Sequence, residues 1–285
     1  MLIRNVIPTA CNREPYTGGQ GGRSHSLKIA LEKIVLVGIG LLMGQFILSL
    51  RGVQKSFGGI LAVNDVDFDV SRSQIIGLIG PNGAGKTTLF HLISGFYNPD
   101  GGNIFFKDTN LIGIRPDQIC KKGISRAFQI VRPFSGLTVF ENVLIGSFNK
   151  VQNRREAHHQ CIQTLELTGL IKFKDQLANN LTLAGKKRLE IAKALSANPE
   201  VLLLDEVMAG LTPVETEEIM LLIRTINSRG ITIIAIEHVM WAIMSLAHHI
   251  IVLNYGKKIA EGSPEEIANN RTVIGVYLGE EGNIA

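Results

Sequence analysis

The sequence has little of several features that mark other classes of protein. Three cysteines in 285 residues, all far apart, fit reduced thiols and not a disulfide framework. Aromatic residues are 6% of the chain and the net charge is +4, with lysine and arginine scattered, so the composition does not indicate nucleic-acid binding. The absence of a sustained heptad run and of an internal repeat argues against a coiled coil or a repeat array. The composition is that of a mildly basic globular protein with one large domain, or with a core and a subdomain.

A long uninterrupted apolar run is also lacking. The most apolar stretch near the N-terminus, Ile34 to Leu50, is broken by glycines and a glutamine. Its last third reads as the first strand of the domain, which leaves about a dozen residues where a membrane span needs about 20. We therefore expect residues 1–45 to be an N-terminal extension that is either disordered or a misassigned start, with Met43 as a possible true initiator that would remove the first 42 residues. The alternative is a short peripheral membrane anchor, and a native peptide from residues 1–42 in mass spectrometry would contradict the start at Met43.

What the sequence does contain is a complete phosphate-binding loop. The stretch GPNGAGKTT fits the pattern G-x-x-x-x-G-K-[ST] and lies between an apolar strand and a helix. A phosphate chain needs several inward backbone N–H groups at once, so a Cβ at Gly80, Gly83 or Gly85 would interfere, and the helix N-terminus favours the same anion. We predict that Lys86 contacts the β- and γ-phosphates and that the Thr87 hydroxyl binds Mg²⁺. The predicted nucleotide-binding residues of the loop are Gly80, Pro81, Asn82, Gly83, Ala84, Gly85, Lys86, Thr87 and Thr88.

The order of the predicted elements is that of an α/β protein. Alternating strands lead into the phosphate loop, and a turn signal at Asn98 to Gly102 precedes a small antiparallel piece. Helical periodicity dominates residues 130–198, and strands and helices alternate again from VLLLDE onward. We predict an α/β fold with a P-loop NTPase (RecA-like) core, a mixed sheet, an antiparallel β subdomain and an inserted α-helical subdomain. The domain would span residues 46–285, with its core in 46–129 and 199–285 and the helical insertion in 130–198.

Polar residues at the ends of three predicted strands are the candidate catalytic and metal-binding residues. Asp205 and Glu206 follow a buried aliphatic strand, at the strand end that borders the ligand crevice of such a sheet. Asp205 can hold Mg²⁺ there, and Glu206 can take the proton of the attacking water. Gln129 and His238 end two other strands, so we predict that His238 donates to the γ-phosphate and that Gln129 orients water or Mg²⁺. The predicted metal-binding residues are therefore Thr87, Gln129 and Asp205.

Together these segments resemble the ATP-binding subunit of an ABC transporter. From Phe46 to about Gly279 the chain is particularly similar to those of branched-chain amino-acid uptake systems. The resemblance lies in the phosphate loop, RAFQ, VLLLDE and IEH, and more narrowly in KSFGGILAVNDV, TVFENVLIG, KRLEIAKAL, VLNYGKKIAEGSPEEI and VIGVYLGEE. It implies that Phe57 stacks on adenine, that the cofactors are ATP and Mg²⁺, and that ATP hydrolysis drives transport.

The family's signature, L-S-G-G-Q, corresponds to LTLAG and departs from it. Thr182 stands at the serine, Ala184 at the second glycine and Gly185 at the glutamine, and the resemblance implies that this stretch contacts the nucleotide of a second subunit. A Cβ at Ala184 would crowd a backbone N–H that must approach phosphate closely. Val207 and Thr212 also depart, because the family usually has Pro and Asp there. Our hypothesis is an asymmetric pair, in which this chain hydrolyses ATP against a related subunit's signature while the reciprocal site is altered.

The resemblance also implies partners and a place in the cell. These are a second ABC ATPase in a head-to-tail homo- or heterodimer, two permease subunits and an external solute-binding protein, at the cytoplasmic face of the plasma (inner) membrane. Three other functions stay open. A non-transport ABC ATPase would carry a long coiled coil or a second nucleotide domain, and Glu206 with His238 argues against a non-hydrolytic regulatory subunit. A lipid or lipopolysaccharide exporter has a similar core, but IEHVM and YLGEE favour amino-acid uptake.

Overall fold

The computed structural model describes residues 46–128 and 133–278, and the strands within them form two sheets. The N-terminal extension lies outside the described residues, together with all three explanations for it, and so does Gln129. The fold class predicted from the sequence, an α/β core with a mixed sheet and an antiparallel sheet, is confirmed.

The first sheet is antiparallel, with the strand order β2-β1-β4-β5. Its strands are β1 (Phe46–Phe57), β2 (Ile60–Ser71), β4 (Gly101–Phe106) and β5 (Thr109–Asn110). In β2 the side chains of Val66, Phe68 and Val70 are buried while Asp67 and Asp69 point away from the core. This period of two is the pattern of a sheet with one covered face, although the antiparallel pairing of β1 with β2 shifts register at several points along β1.

The second sheet is mixed and carries the candidate site at one edge. Its order is β10-β9-β3-β8-β7-β6, with only the edge strand β10 antiparallel to its neighbour. The strands are β3 (Ile75–Ile79), β6 (Ile124–Ala127), β7 (Val201–Asp205), β8 (Thr232–Ile236), β9 (His249–Asn254) and β10 (Lys257–Gly262). Every residue of β3, β7 and β8 is buried, because one face of these strands packs in a core shared with the antiparallel sheet and the other face is covered by helices. The carboxyl ends of these three neighbours therefore meet at the same edge.

The described helices pack against the mixed sheet or against one another. They are α1 (Lys86–Ile93), α2 (Pro116–Lys122), α3 (Val139–Ser147), α4 (Arg154–Leu167), α5 (Leu183–Ser196), α6 (Pro213–Ser228), α7 (Met240–Leu246), α8 (Pro264–Ala268) and α9 (Arg271–Leu278). Helices α3, α4 and α5 lie between β6 and β7 in sequence and share a small apolar core of their own, which includes Val143, Leu165 and Leu189. None of the described helices is both long and apolar enough to span a membrane.

Two parts of the fold differ from what periodicity predicts. Helix α5 begins at Leu183, whereas its sustained apolar spacing begins only at Leu189, because Gly185 and the three basic residues after it interrupt that spacing. The chain beyond β9 adds β10, α8 and α9. The start of α8 has a clear local cause: Ser263 and Glu266 form a capping box around Pro264.

Candidate active site

The phosphate loop connects β3 to α1, and the surrounding strands fix its glycines. Gly80 has φ of 147° and Gly85 has φ of 99°. A Cβ on Gly80 would lie 2.1 Å from the carbonyl oxygen of Leu253, and one on Gly85 would lie 2.3 Å from that of Ala62. These two glycines are thus required by close approach of backbone as well as by φ. A Cβ on Gly83 would meet nothing within 4 Å, so only its φ of 80° favours glycine.

This contrast gives a matched pair of substitutions. We expect Gly80→Ala to destabilise the chain by about 3 kcal/mol and to abolish nucleotide binding, because the loop must move away from β9. We expect Gly83→Ala to cost only about 1–2 kcal/mol, the price of a left-handed alanine. Urea unfolding and the binding of a fluorescent ATP analogue check both. Equal losses in the two variants would contradict the role of the Leu253 carbonyl.

Lys86, the first residue of α1, is folded over its own loop. Its ammonium donates hydrogen bonds to the carbonyl oxygens of Gly80 at 2.7 Å and Pro81 at 2.9 Å. Desolvation lowers the pKa of this lysine, while the charges of Glu206 and Asp205 act in the opposite direction. The structure therefore places the loop lysine in the field of both predicted carboxylates. The hydroxyl-bearing Thr87 next to it is exposed.

The two carboxylates at the end of β7 have different environments. Asp205 is buried, with its side chain 1% exposed, and its Oδ2 accepts a hydrogen bond from Arg126. Glu206 adopts a φ of 50°, unusual for a residue other than glycine, and its N–H donates to the carbonyl of Ile236 on β8 at 2.9 Å. Its Oε1 lies 2.9 Å from Nε2 of His238. The structure thus brings together Glu206 and His238, which are 32 residues apart in sequence.

The donor set beside the loop fits Mg²⁺. Hard divalent cations of this size take oxygen ligands, and Thr87 and Asp205 supply a hydroxyl and a carboxylate. Oδ1 of Asp205 is buried and has no hydrogen-bond partner among the described residues, as expected of an oxygen kept for a cation.

A buried lysine and a buried glutamate next to these residues were not anticipated from the sequence. Lys187 of α5 donates a hydrogen bond to the backbone carbonyl of Glu206 at 2.8 Å. Glu237, which directly precedes His238, accepts one from the N–H of Met208 at 2.9 Å. Both side chains lie in residues at most 4% exposed. One sequence signal was available, since Glu237 follows the apolar strand β8 in the same way that Asp205 ends β7.

Glu237 makes stability depend on pH. Desolvation raises the pKa of its carboxyl from 4.5 to about 7, against the lowering effects of the Met208 N–H and of Lys187. The pKa of Glu237 is higher in the native state than in the unfolded state. Its protonation therefore contributes fully to the unfolding free energy below pH 4.5, and this contribution is lost as pH rises through 7. We expect Glu237→Gln to remove about 2 kcal/mol of the difference in unfolding free energy between pH 5.5 and pH 8. Urea unfolding at both pH values measures this, and identical pH dependence in variant and wild type would contradict it.

The remaining predicted residues lie at the ends of β1 and α5. Phe57 is partly exposed, and its ring packs edge-on against Tyr97 with centroids 5.2 Å apart. Thr182 is the N-cap of α5 and accepts a hydrogen bond from the N–H of Gly185 at 3.2 Å. Ala184 is half-buried in the same first turn. The hydroxyl that replaces the family's serine therefore caps the helix that carries the signature stretch.

The two further departures from the family pattern, Val207 and Thr212, lie in different environments. Val207 is completely buried, in the core cluster that contains β7 and β8. Thr212 is the exposed N-cap of α6 and forms a capping box with Glu215. Threonine can make this cap as the usual aspartate does, without the negative charge.

A glycine loop between a central strand and a helix, with two carboxylates at the end of a nearby parallel strand, defines a P-loop ATPase. A family model described as "ABC transporter" matches residues 63–209, and one described as "Branched-chain amino acid ATP-binding cassette transporter" matches residues 257–283. The chain belongs to the ABC transporter family, as one of its ATP-hydrolysing subunits. The family and enzyme class predicted from the sequence are confirmed.

Individual relatives agree with this assignment. The chain is 42% identical over 256 residues to the high-affinity branched-chain amino acid transport ATP-binding protein LivG of Escherichia coli (strain K12), covering 84% of this chain and 100% of LivG. It is 33% identical to the lipopolysaccharide export system ATP-binding protein LptB of Haemophilus influenzae, covering 82% and 98%. Among solved structures, an ATP-binding cassette in its ADP conformation superposes with a TM-score of 0.75 at 29% identity, covering 82% and 99%.

Proposed function

We propose that this chain binds ATP with Mg²⁺ and hydrolyses it against the signature of a second ABC ATPase subunit, to drive uptake of branched-chain or related amino acids. The observation that carries the chemistry is the 2.9 Å contact between Glu206 and His238 beside the phosphate loop. A carboxylate in hydrogen-bond contact with a histidine, at the edge where the phosphate loop begins, is the arrangement of an oriented general base.

Each residue then has a role in hydrolysis. The backbone N–H groups of the phosphate loop bind the phosphates, and Lys86 moves from the loop carbonyls to the β- and γ-phosphates. Thr87, Asp205 and Gln129 would hold Mg²⁺, whose charge offsets the charge on the phosphates. Glu206 accepts the proton of the attacking water, while His238 fixes the orientation of Glu206 and donates to the γ-phosphate.

The nucleotide also needs contacts beyond the phosphate loop. Phe57, held edge-on by Tyr97, offers a partly exposed ring face on which adenine can stack. The first turn of α5, with Thr182, Ala184 and Gly185, would face the nucleotide of the partner subunit. This part of α5 is partly exposed, as a surface that meets a second chain must be.

The permease subunits need a docking surface, and we assign it to the helical insertion. A cavity of about 520 Å³ lies between β6, α2, α3 and α5. Its wall includes the apolar side chains of Phe96, Phe128, Ile145 and Phe148, all of them exposed. This surface would place the chain at the cytoplasmic face of the membrane, bound through the permeases.

The similarity to characterised relatives supports amino acids as the cargo. LivG is more similar to this chain than LptB, and residues 257–283 match a branched-chain amino acid transporter model. Lipopolysaccharide or lipid export is the second candidate, supported by the similarity to LptB.

Reconstitution tests the proposal. The chain is combined in proteoliposomes with its permeases, its partner ATPase and its binding protein, and ATP hydrolysis is followed with and without leucine, isoleucine or valine. We expect these amino acids to stimulate hydrolysis and to accumulate inside the vesicles only when Mg²⁺ and ATP are present. Hydrolysis that responds to lipopolysaccharide and not to any amino acid would favour export.

A further inference from the structure

Arg126 and Asp205 form an ion pair that is almost completely buried. Their strands β6 and β7 are parallel neighbours, and Nη2 of the arginine lies 2.5 Å from Oδ2 of the aspartate. The side chains are 4% and 1% exposed. The guanidinium therefore sits directly on the carboxylate that the proposed function assigns to Mg²⁺.

Two aromatic rings complete the surroundings of the guanidinium. Its Cζ lies 5.6 Å from the ring centre of Phe90 and 5.0 Å from that of Phe128, within the range of cation–π attraction. Phe128 is itself packed edge-on against Phe96, with ring centres 5.8 Å apart. Both rings thus pack beside the guanidinium while Nη2 contacts Asp205.

Stability alone does not account for this pair. Nε and Nη1 of Arg126 have no hydrogen-bond partner among the described residues. Removing two charges from water and leaving donors unsatisfied offsets much of their attraction, so a buried pair of this kind is weak evidence for stabilisation. The pair instead gives the two carboxylate oxygens of Asp205 different environments. Oδ2 accepts a hydrogen bond from the arginine, and Oδ1 has no hydrogen-bond partner among the described residues.

We propose that Arg126 is a positioning residue for magnesium. It fixes the carboxylate of Asp205 through Oδ2, so that Oδ1 is the oxygen offered to the cation. The inference rests on the proposed function, in which Asp205 holds Mg²⁺. Partners that orient a metal ligand in this way typically change metal affinity by about 10- to 100-fold when removed. Because Phe128 lines the cavity assigned to the permeases, a partner seated there contacts the ring that holds Arg126.

The test measures magnesium and nucleotide binding separately in the full chain. Binding of a fluorescent ATP analogue is titrated with Mg²⁺ and repeated in EDTA, and bound Mn²⁺ is counted by electron paramagnetic resonance. We expect Arg126→Met to raise the Mg²⁺ concentration for half-maximal binding by about 10- to 100-fold and to leave binding in EDTA unchanged. Arg126→Lys keeps a cationic donor and should restore part of the affinity.

Arg51 supplies the matched control. It also forms a short ion pair with an aspartate, Asp69 at 2.6 Å, but in the antiparallel sheet. Arg51→Met should leave the Mg²⁺ requirement at its wild-type value. If Arg126→Met fails to fold, Phe128→Leu replaces it, because that ring is 39% exposed, and its expected shift is about 3-fold in the same direction.

Three outcomes would overturn the inference. An unchanged Mg²⁺ requirement in folded Arg126→Met, or in Phe128→Leu where the arginine variant does not fold, removes the positioning role. A lower Mg²⁺ requirement in Arg126→Met would mean that Arg126 competes with the cation for Asp205. If Asp205→Asn also leaves the Mg²⁺ requirement unchanged, the proposed magnesium role of Asp205 fails, and the inference fails with it. If Asp205→Asn raises the Mg²⁺ requirement strongly and Arg126→Met does not, only the role of Arg126 is overturned.

Discussion

Glutamine in place of Glu206 leaves ATP bound and slows its hydrolysis in the assembled transporter by about 10²- to 10⁴-fold. The amide has the shape of the carboxylate and can keep a hydrogen bond to His238, but it cannot accept the proton of the attacking water. The nucleotide-bound state should therefore accumulate. Trapping of radiolabelled ATP in the complex, together with phosphate release, measures the two effects separately.

The same substitution tests the asymmetric pair. If only this chain's residues are fully competent, Glu206→Gln here stops nearly all turnover, while the equivalent change in the partner ATPase removes little. Equal, independent losses from the two changes would rule the asymmetry out. Glu217→Gln, on the exposed face of α6, is the control for removing a glutamate charge and should keep wild-type activity.

Alanine in place of Lys86 weakens ATP binding by about 100-fold or more. The ammonium is expected to make charge-assisted hydrogen bonds to two phosphates, each worth about 1.5–3 kcal/mol, and none can form from alanine. Calorimetric titration with ATP and Mg²⁺ measures the loss. Lys86→Met keeps most of the volume under the loop carbonyls and should show the same loss, which separates charge from packing.

Lys257 provides the comparison for the lysine variants. It is an exposed lysine at the start of β10, and Lys257→Ala should bind ATP as the wild type does. Wild-type ATP affinity in both Lys86→Ala and Lys86→Met would show that the phosphates are bound elsewhere.

The central strands and the phosphate loop could be predicted because they are determined by local features of the sequence. VLLL has no polar side chain that could face water, so Val201 to Leu204 had to be a strand covered on both sides. The loop has glycines at the positions where β9 and β2 approach it, and Gly80 and Gly85 could be identified without knowing those strands.

The roles of Arg126 and Lys187 could not be predicted because they depend on tertiary neighbours, and for Glu237 the sequence signals only its position directly after an apolar strand. The contact of Arg126 with Asp205 exists because β6 and β7, separated by 73 residues between Ala127 and Val201, are adjacent in the sheet. Lys187 reaches a backbone carbonyl, which has no sequence signal at all. The start of α5 at Leu183 is not visible in the apolar spacing for a different reason: the capping Thr182 is polar, and a glycine and three basic residues interrupt the first two turns.

The hydrogen bond from Lys187 to the carbonyl of Glu206 has a consequence for the proposed dimer. Helix α5 begins at the signature stretch, which would contact the partner's nucleotide, whereas Glu206 acts on the nucleotide of its own chain. In that dimer one buried ammonium would connect the two ATP-binding sites, since a tilt of α5 would displace the backbone of the proposed general base. We therefore expect an altered signature such as that around Ala184 to affect hydrolysis of this chain's own nucleotide as well as contact with the partner's nucleotide.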